Sequence, residues 1–201
     1  MSSINTRQKL TKEGDWLYAL LLGFVLGCPS MTRSTIVLEK GGNGKKRKTK
    51  PVNKPVCVRR CSFRERGITG HLLNTVLAEI RRPLANKSAY ARLTTGSSVE
   101  DEVTKLTREP AASDELFEYI VYMARSDMPD TEAIYYYIRN AFAHGSFMFI
   151  ESGDRRVLVL ESLKNGKLKA RMRLRESTLH QMIELSRMTA SEISGMQKKK
   201  A

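Results

Sequence analysis

Apolar positions recur at helical spacing through the first two thirds of the chain, and then the period changes. His71–Arg82 places Leu72, Leu73, Val76, Leu77 and Ile80 three and four apart, and Pro83 ends the run. That spacing predicts a helix. Asp114–Arg125 repeats it, with Leu116, Phe117, Ile120 and Met123 inward and Ser113 as the cap. Glu132–His144 follows, opened by Pro129, Asp130 and Thr131 and closed by Gly145. Lys87–Leu93 and Val99–Leu106 are weaker and read as short helices around a turn at Thr94–Ser98. Beyond Gly145 the pattern alternates. Phe147–Glu151, Arg155–Leu163 and Lys167–Arg175 read as strands, joined by Ser152-Gly153-Asp154 and by the hairpin signal Asn165-Gly166. Ser177 then caps a final helix, Thr178–Met188. The expected fold is mainly α: a helical bundle, a three-stranded antiparallel β-meander over 147–175, and a C-terminal helix.

The N-terminal apolar run, Trp16–Leu26, is too short for a membrane span, which needs about 20 residues. Val25-Leu26-Gly27-Cys28 resembles a lipoprotein cleavage box, and the run could serve as the core of a signal peptide. Glu13 and Asp15 precede it where a signal peptide carries positive charge. Asp15 can instead cap a buried helix, with Gly27 and Pro29 as its stop. The favoured expectation is a helical segment over 1–38 packed on the main domain, with no membrane association and a cytoplasmic location. Cys28, Cys57 and Cys61 are too few for a disulfide framework and fit a reducing compartment.

Charge adds a second layer. The formal net charge is +14. From Lys45 to Arg66 ten Lys/Arg stand against Glu65 alone, a net of +9. Residues 39–66, rich in Gly and Pro and without periodicity, read as a basic linker that would bind phosphates without selectivity. Residues 67–195 form the expected main domain, and 196–201 a basic tail. In the third predicted strand Lys167, Lys169, Arg171, Arg173 and Arg175 alternate with Leu168, Ala170, Met172 and Leu174. Lys167, Lys169, Arg171 and Arg173 are therefore candidate RNA contacts. Asp114, Glu115 and Glu118 read as an acidic first helical turn.

The most informative stretch is Tyr135–Phe147, YYYIRNAFAHGSF. Asn140 and His144 are four apart and share a helix face. Arg139 and His144 are five apart, about 140° around an ideal helix, so they converge only at a distorted helix end or across a partner. The chemistry that suits these side chains is metal-free cleavage of RNA by its own 2′-hydroxyl. Imidazole exchanges protons near neutral pH, guanidinium forks a phosphate, and an amide orients either one. His144 is the candidate acid/base, Arg139 the phosphate clamp and Asn140 the positioner.

Arg139-Asn140, three further residues, His144 and then Gly145 resemble the Arg-x4-His mark of the HEPN family. A β-meander after the motif is similar to the small bacterial and plasmid-borne members. The resemblance implies a HEPN-like helical bundle that pairs as a homodimer through the Arg139/His144 helix. It implies a metal-independent endoribonuclease, a toxin or antiviral-defence effector, or else a non-catalytic RNA-binding module. RNA and an antitoxin or other regulator are the implied partners. Ser146 stands where some family toxins carry a modified Tyr. No P-loop, GxSxG, dinucleotide fingerprint or His/Cys set with metal spacing is legible, so no cofactor and no metal site are expected.

Overall fold

The structure, a computed structural model, describes residues 14–27, 63–84, 89–108, 114, 116–152 and 155–198. Most of the basic stretch, together with Cys28, Cys57, Cys61 and the cap Ser113, lies outside the described residues. In chain order the helices are α1 (Gly14–Leu21), α2 (His71–Arg81), α3 (Val99–Thr107), α4 (Asp130–Ala143), α5 (Glu176–Arg187) and α6 (Ala190–Lys198). The strands are β1 (Tyr90–Leu93), β2 (Tyr119–Met123), β3 (Phe147–Ser152), β4 (Arg155–Lys164) and β5 (Lys167–Arg175). A π-helical stretch, Leu22–Gly27, continues α1, and a 3-10 turn occupies Arg64–Arg66.

The strands make one mixed five-stranded sheet in the order β1-β2-β5-β4-β3. β1 and β2 run parallel and are joined through α3, while every other pairing is antiparallel. The protein is thus an α/β fold, which corrects the expectation of a mainly α, HEPN-like bundle with a separate meander. The meander forms, but β5 also pairs with β2, so it is the outer part of a larger sheet.

The correction has a local cause. Tyr119–Met123 reads YIVYM, and four of its five residues are buried. A central strand covered on both faces is a continuous apolar run with no alternation, and periodicity alone cannot tell it from a buried helix turn. Leu116, Phe117, Ile120 and Met123 therefore fit a helical face by accident. β1 has only four residues, YARL, too few to show any period. Ser98 caps α3 by accepting from the Asp101 amide at 3.2 Å, and Glu100, Asp101 and Glu102 fill its first turn. That helix arises where the spacing puts it.

Alternate residues of β2 serve two cores. Ile120 and Tyr122 join the larger one with residues of α1, α2, α4, α5 and α6. Tyr119 and Val121 join the smaller one under Val99, Val103 and Leu106 of α3. Burying that apolar surface on both faces is the main term holding the sheet. The N-terminal apolar run is consumed here: Leu17, Leu20 and Phe24 are fully buried. No described helix is long and apolar enough to cross a membrane. Phe63, at the end of the basic stretch, is also core, packed 5.3 Å from the Tyr135 ring. α6 opens with a reciprocal cap, Thr189 N donating to Glu192 Oε2 at 2.7 Å and Glu192 N to Thr189 Oγ1 at 3.3 Å. It runs through part of the expected basic tail, and Gln197 Nε2 donates to Thr75 Oγ1.

Candidate functional site

α4 carries the motif, and its burial explains which residues remain for chemistry. Ala133, Ile134, Tyr135, Tyr137, Ile138, Ala141 and Phe142 are core. Tyr135 donates its hydroxyl to Met182 O at 2.5 Å and Tyr137 to Met123 O at 2.9 Å, so both phenols are structural. Tyr136, Arg139 and Asn140 are half-buried, and His144 is exposed.

The helix end is built by three hydrogen bonds. His144 N donates to Asn140 O at 3.0 Å, Gly145 N to Phe142 O at 3.2 Å and Ser146 N to Ala141 O at 2.8 Å. The last two are the crossed pair of a Schellman closure, which needs a left-handed residue after the cap. Gly145 supplies it with φ +65°. The turn leaves His144 as the C-cap on the surface and sends the chain directly into β3. There Ser146 O accepts from Glu161 N at 2.9 Å, which fixes the start of β3 against β4.

A cleft of about 280 Å³ opens between this helix end and the β4–β5 hairpin. Asn140, His144, Ser146, Glu161, Ser162, Leu163, Asn165 and Gly166 line it. Asn165 and Gly166 both have positive φ, +52° and +72°, as the tight hairpin turn requires. Glu161 is gripped by Arg171, whose Nε stands 2.7 Å and whose second nitrogen 2.5 Å from Oε1. The pair is only a quarter exposed, so the carboxylate is held in place rather than free to swing. Through its backbone Glu161 borders the cleft, while its carboxylate and Arg171 lie on the face of the sheet that carries Val121 and α3. The cleft thus gathers an imidazole, a carboxamide and small hydroxyls.

The register of the hairpin decides that pairing. Lys164 opposes Lys167 and Leu163 opposes Leu168, but a bulge shifts the next pairs to Ser162–Ala170 and Glu161–Arg171. The bulge also turns β5 over. Leu168 packs in the core under α3, while Ala170, Met172 and Leu174 pack in the other. The single basic row expected along this strand is therefore split at Lys169. Lys167 is exposed beside the cleft, Lys169 and Arg173 are half-buried, and Arg171 is committed to Glu161. Arg173 stands in register with Tyr119 and Val159. Arg175 is committed to Glu118, donating from N at 2.8 Å and from Nε at 2.7 Å. Glu118 is 2% exposed and precedes a strand, which corrects its assignment to an acidic helical turn.

Of the predicted catalytic set, Asn140 and His144 share the cleft and Arg139 does not line it. Arg139 sits one step around the helix, and its buried Nε makes no hydrogen bond among the described residues. Glu161, Ser162 and Asn165 were not singled out by their spacing. Asn165-Gly166 marks the hairpin, but an unbulged hairpin would oppose Glu161 to Ala170 rather than Arg171. Among the described residues no group of three or more His, Cys, Asp or Glu side chains converges. His71 is exposed at the start of α2, and His180 faces Glu176 at 3.6 Å. No protein-family model, curated protein or solved structure matches the chain.

Proposed function

We propose that the cleft between α4 and the β4–β5 hairpin cleaves RNA without a metal ion. The observation that carries this reading is that His144 and Asn140, one turn apart on α4, open into the same cleft. His144 accepts the proton of a 2′-hydroxyl, whose oxygen attacks the adjacent phosphorus. The bond from phosphorus to the 5′-oxygen breaks, and His144 delivers a proton to that leaving oxygen. The products are a 2′,3′-cyclic phosphate and a 5′-hydroxyl. One imidazole serves both duties, since the proton it takes is the one it returns. Asn140 donates to a phosphate oxygen as charge builds there.

The homodimer was implied by the resemblance to a helical family domain, and the Arg139 clamp was expected from guanidinium chemistry, but Arg139 does not line the cleft. One chain's cleft already holds an imidazole and a positioning amide, so the mechanism proposed here does not require a second copy. A 2′-hydroxyl is essential to it, which favours RNA over DNA as the polyanion suited to a chain of net charge +14.

The test is cleavage of a single-stranded oligoribonucleotide in excess EDTA, with the product ends identified by mass. Cyclic phosphate ends, and no cut where one 2′-hydroxyl is replaced by hydrogen, are the expected results. Cleavage that EDTA abolishes, or a His144→Ala variant as active as the parent, would overturn the mechanism. Binding of RNA with no cleavage leaves the cleft as a non-catalytic RNA site and removes the enzyme reading.

A further inference from the structure

One turn before Asn140, on the same stripe of α4, Tyr136 is half-buried and carries a guanidinium on its ring. Arg125 Cζ lies 4.4 Å from the Tyr136 centroid. The other neighbour of this ring is Tyr137, 5.4 Å away and edge-on. Arg125 is itself fixed: Nε donates to Asp127 Oδ1 at 2.9 Å and Nη2 to Oδ2 at 2.7 Å. A bidentate clamp of this kind holds the guanidinium plane in one orientation.

This stack is continuous with the cleft. Tyr136, Asn140 and His144 follow one another at four-residue spacing, a step of about 6 Å along the helix. That is of the order of one nucleotide step in an extended strand. The β4–β5 hairpin forms the opposite wall at Asn140 and His144. Its Lys164 lies near enough to Asp127 to add to the pull that Arg125, the main cause, exerts on that carboxylate, which is held below its ordinary range. Lys164 and Lys167 are both exposed on this wall.

We propose that the Arg125–Tyr136 stack is a base-binding platform for the nucleotide next to the scissile one, so that the substrate class is single-stranded RNA. The inference rests on the cleavage site proposed above and extends it by one nucleotide. Unpaired bases stack on aromatic rings and on guanidinium planes, whereas paired bases are already stacked on one another. The two exposed lysines answer the backbone on the far wall, where sequence plays no part. A duplex presents no free base face to the platform.

The experiment uses a hexadeoxynucleotide carrying one 2-aminopurine, whose fluorescence falls when the base stacks. Lacking 2′-hydroxyls, it cannot be cut by the proposed chemistry, so binding is read apart from cleavage. The full chain is expected to quench it on binding, and the same strand annealed to its complement is expected to show no protein-dependent quench. Tyr136→Leu and Arg125→Ala are each expected to weaken binding about tenfold and to abolish the quench. Tyr136 touches the core, so Arg125→Ala decides if the other variant fails to fold by circular dichroism. Parental affinity and quench in folded Arg125→Ala overturn the platform, as does equal quench of the duplex or no binding by the parent. Quench without cleavage of the matching ribonucleotide strand supports the platform and defeats only the nuclease. Cleavage with parental binding by the variants does the reverse.

Discussion

His144 owes its position to the residue after it. Gly145 turns left-handed at φ +65°, the helix closes, and the imidazole is left at the mouth of the cleft. Glu161 owes its position to a bulge, which opposes it to Arg171. If His144 exchanges protons with RNA, His144→Gln should lower kcat at least about 100-fold with little change in KM, as measured on one oligoribonucleotide. A different residue carries a stability effect. Glu132 is 7% exposed, and burial pushes its carboxyl above the ordinary glutamate range, with Arg64 pulling weakly the other way. A carboxyl whose folded pKa is raised favours the native state while both states are protonated. That contribution is lost as pH rises through the folded value. Glu132→Gln should therefore raise Tm at pH 7.5, and the gap should close below about pH 4, where both states of the parent are protonated. Equal Tm values at the two pH values would contradict this. Asn140 and His144 were legible as a pair because four-residue spacing is a helix property. Glu161 was not, because nothing in its neighbours signals which residue a bulge will set opposite it.

Among the elements, the strands after Gly145 are read most directly. Lys167–Arg175 is a strand over its whole predicted length, and buried and less buried positions alternate along it even though the bulge sends Leu168 to a different core from Ala170, Met172 and Leu174. α2 and α4 also lie within two residues of their expected bounds. β1 and β2 were read as helical, for the reasons of length and two-sided burial given above. The N-terminal run behaves as a docking element. Phe24 stacks on Phe142 at 5.4 Å, and Gly23 lies directly on Ile183 of α5. A Cβ at Gly23 would stand 2.9 Å from Ile183 Cγ1 and closer still to Cδ1. Ile183 is buried, so it cannot swing clear without disturbing the core. Gly23→Ala should destabilise by about 1–3 kcal/mol in a urea titration. Ile183→Val in the same chain should recover part of that loss, because it removes the colliding methyl. An unchanged urea midpoint in Gly23→Ala would show that the π-helical stretch is not seated on α5.

For the whole molecule, the placement of charge matters more than its sum. Arg171 and Arg175 are spent on Glu161 and Glu118, and Arg92 on Asp130, so none of these is free to neutralise a phosphate. Lys164 and Lys167 lie exposed beside the cleft. Binding of a single strand should weaken with salt by a log–log slope of about −0.7 for each phosphate neutralised. The double variant Lys164→Ala, Lys167→Ala should flatten that slope by about 1.4, as measured from Kd between low and physiological salt. A slope that does not move would place the phosphates elsewhere, on the basic stretch over residues 45–62 for example.

The amino-acid sequence by itself determined the helices with one apolar stripe, the meander, the hairpin turn and the Asn140–His144 pair. Each depends on neighbours within a few positions, and local periodicity or turn chemistry reports it. Tertiary structure alone decided that β2 is a strand, that β5 joins it to the meander, and that the bulge at Ser162 and Leu163 pairs Glu161 with Arg171. These depend on which surfaces, distant in the chain, exclude water together. Burial on both faces erases the alternation that would announce a central strand. A register shift changes partners without changing composition.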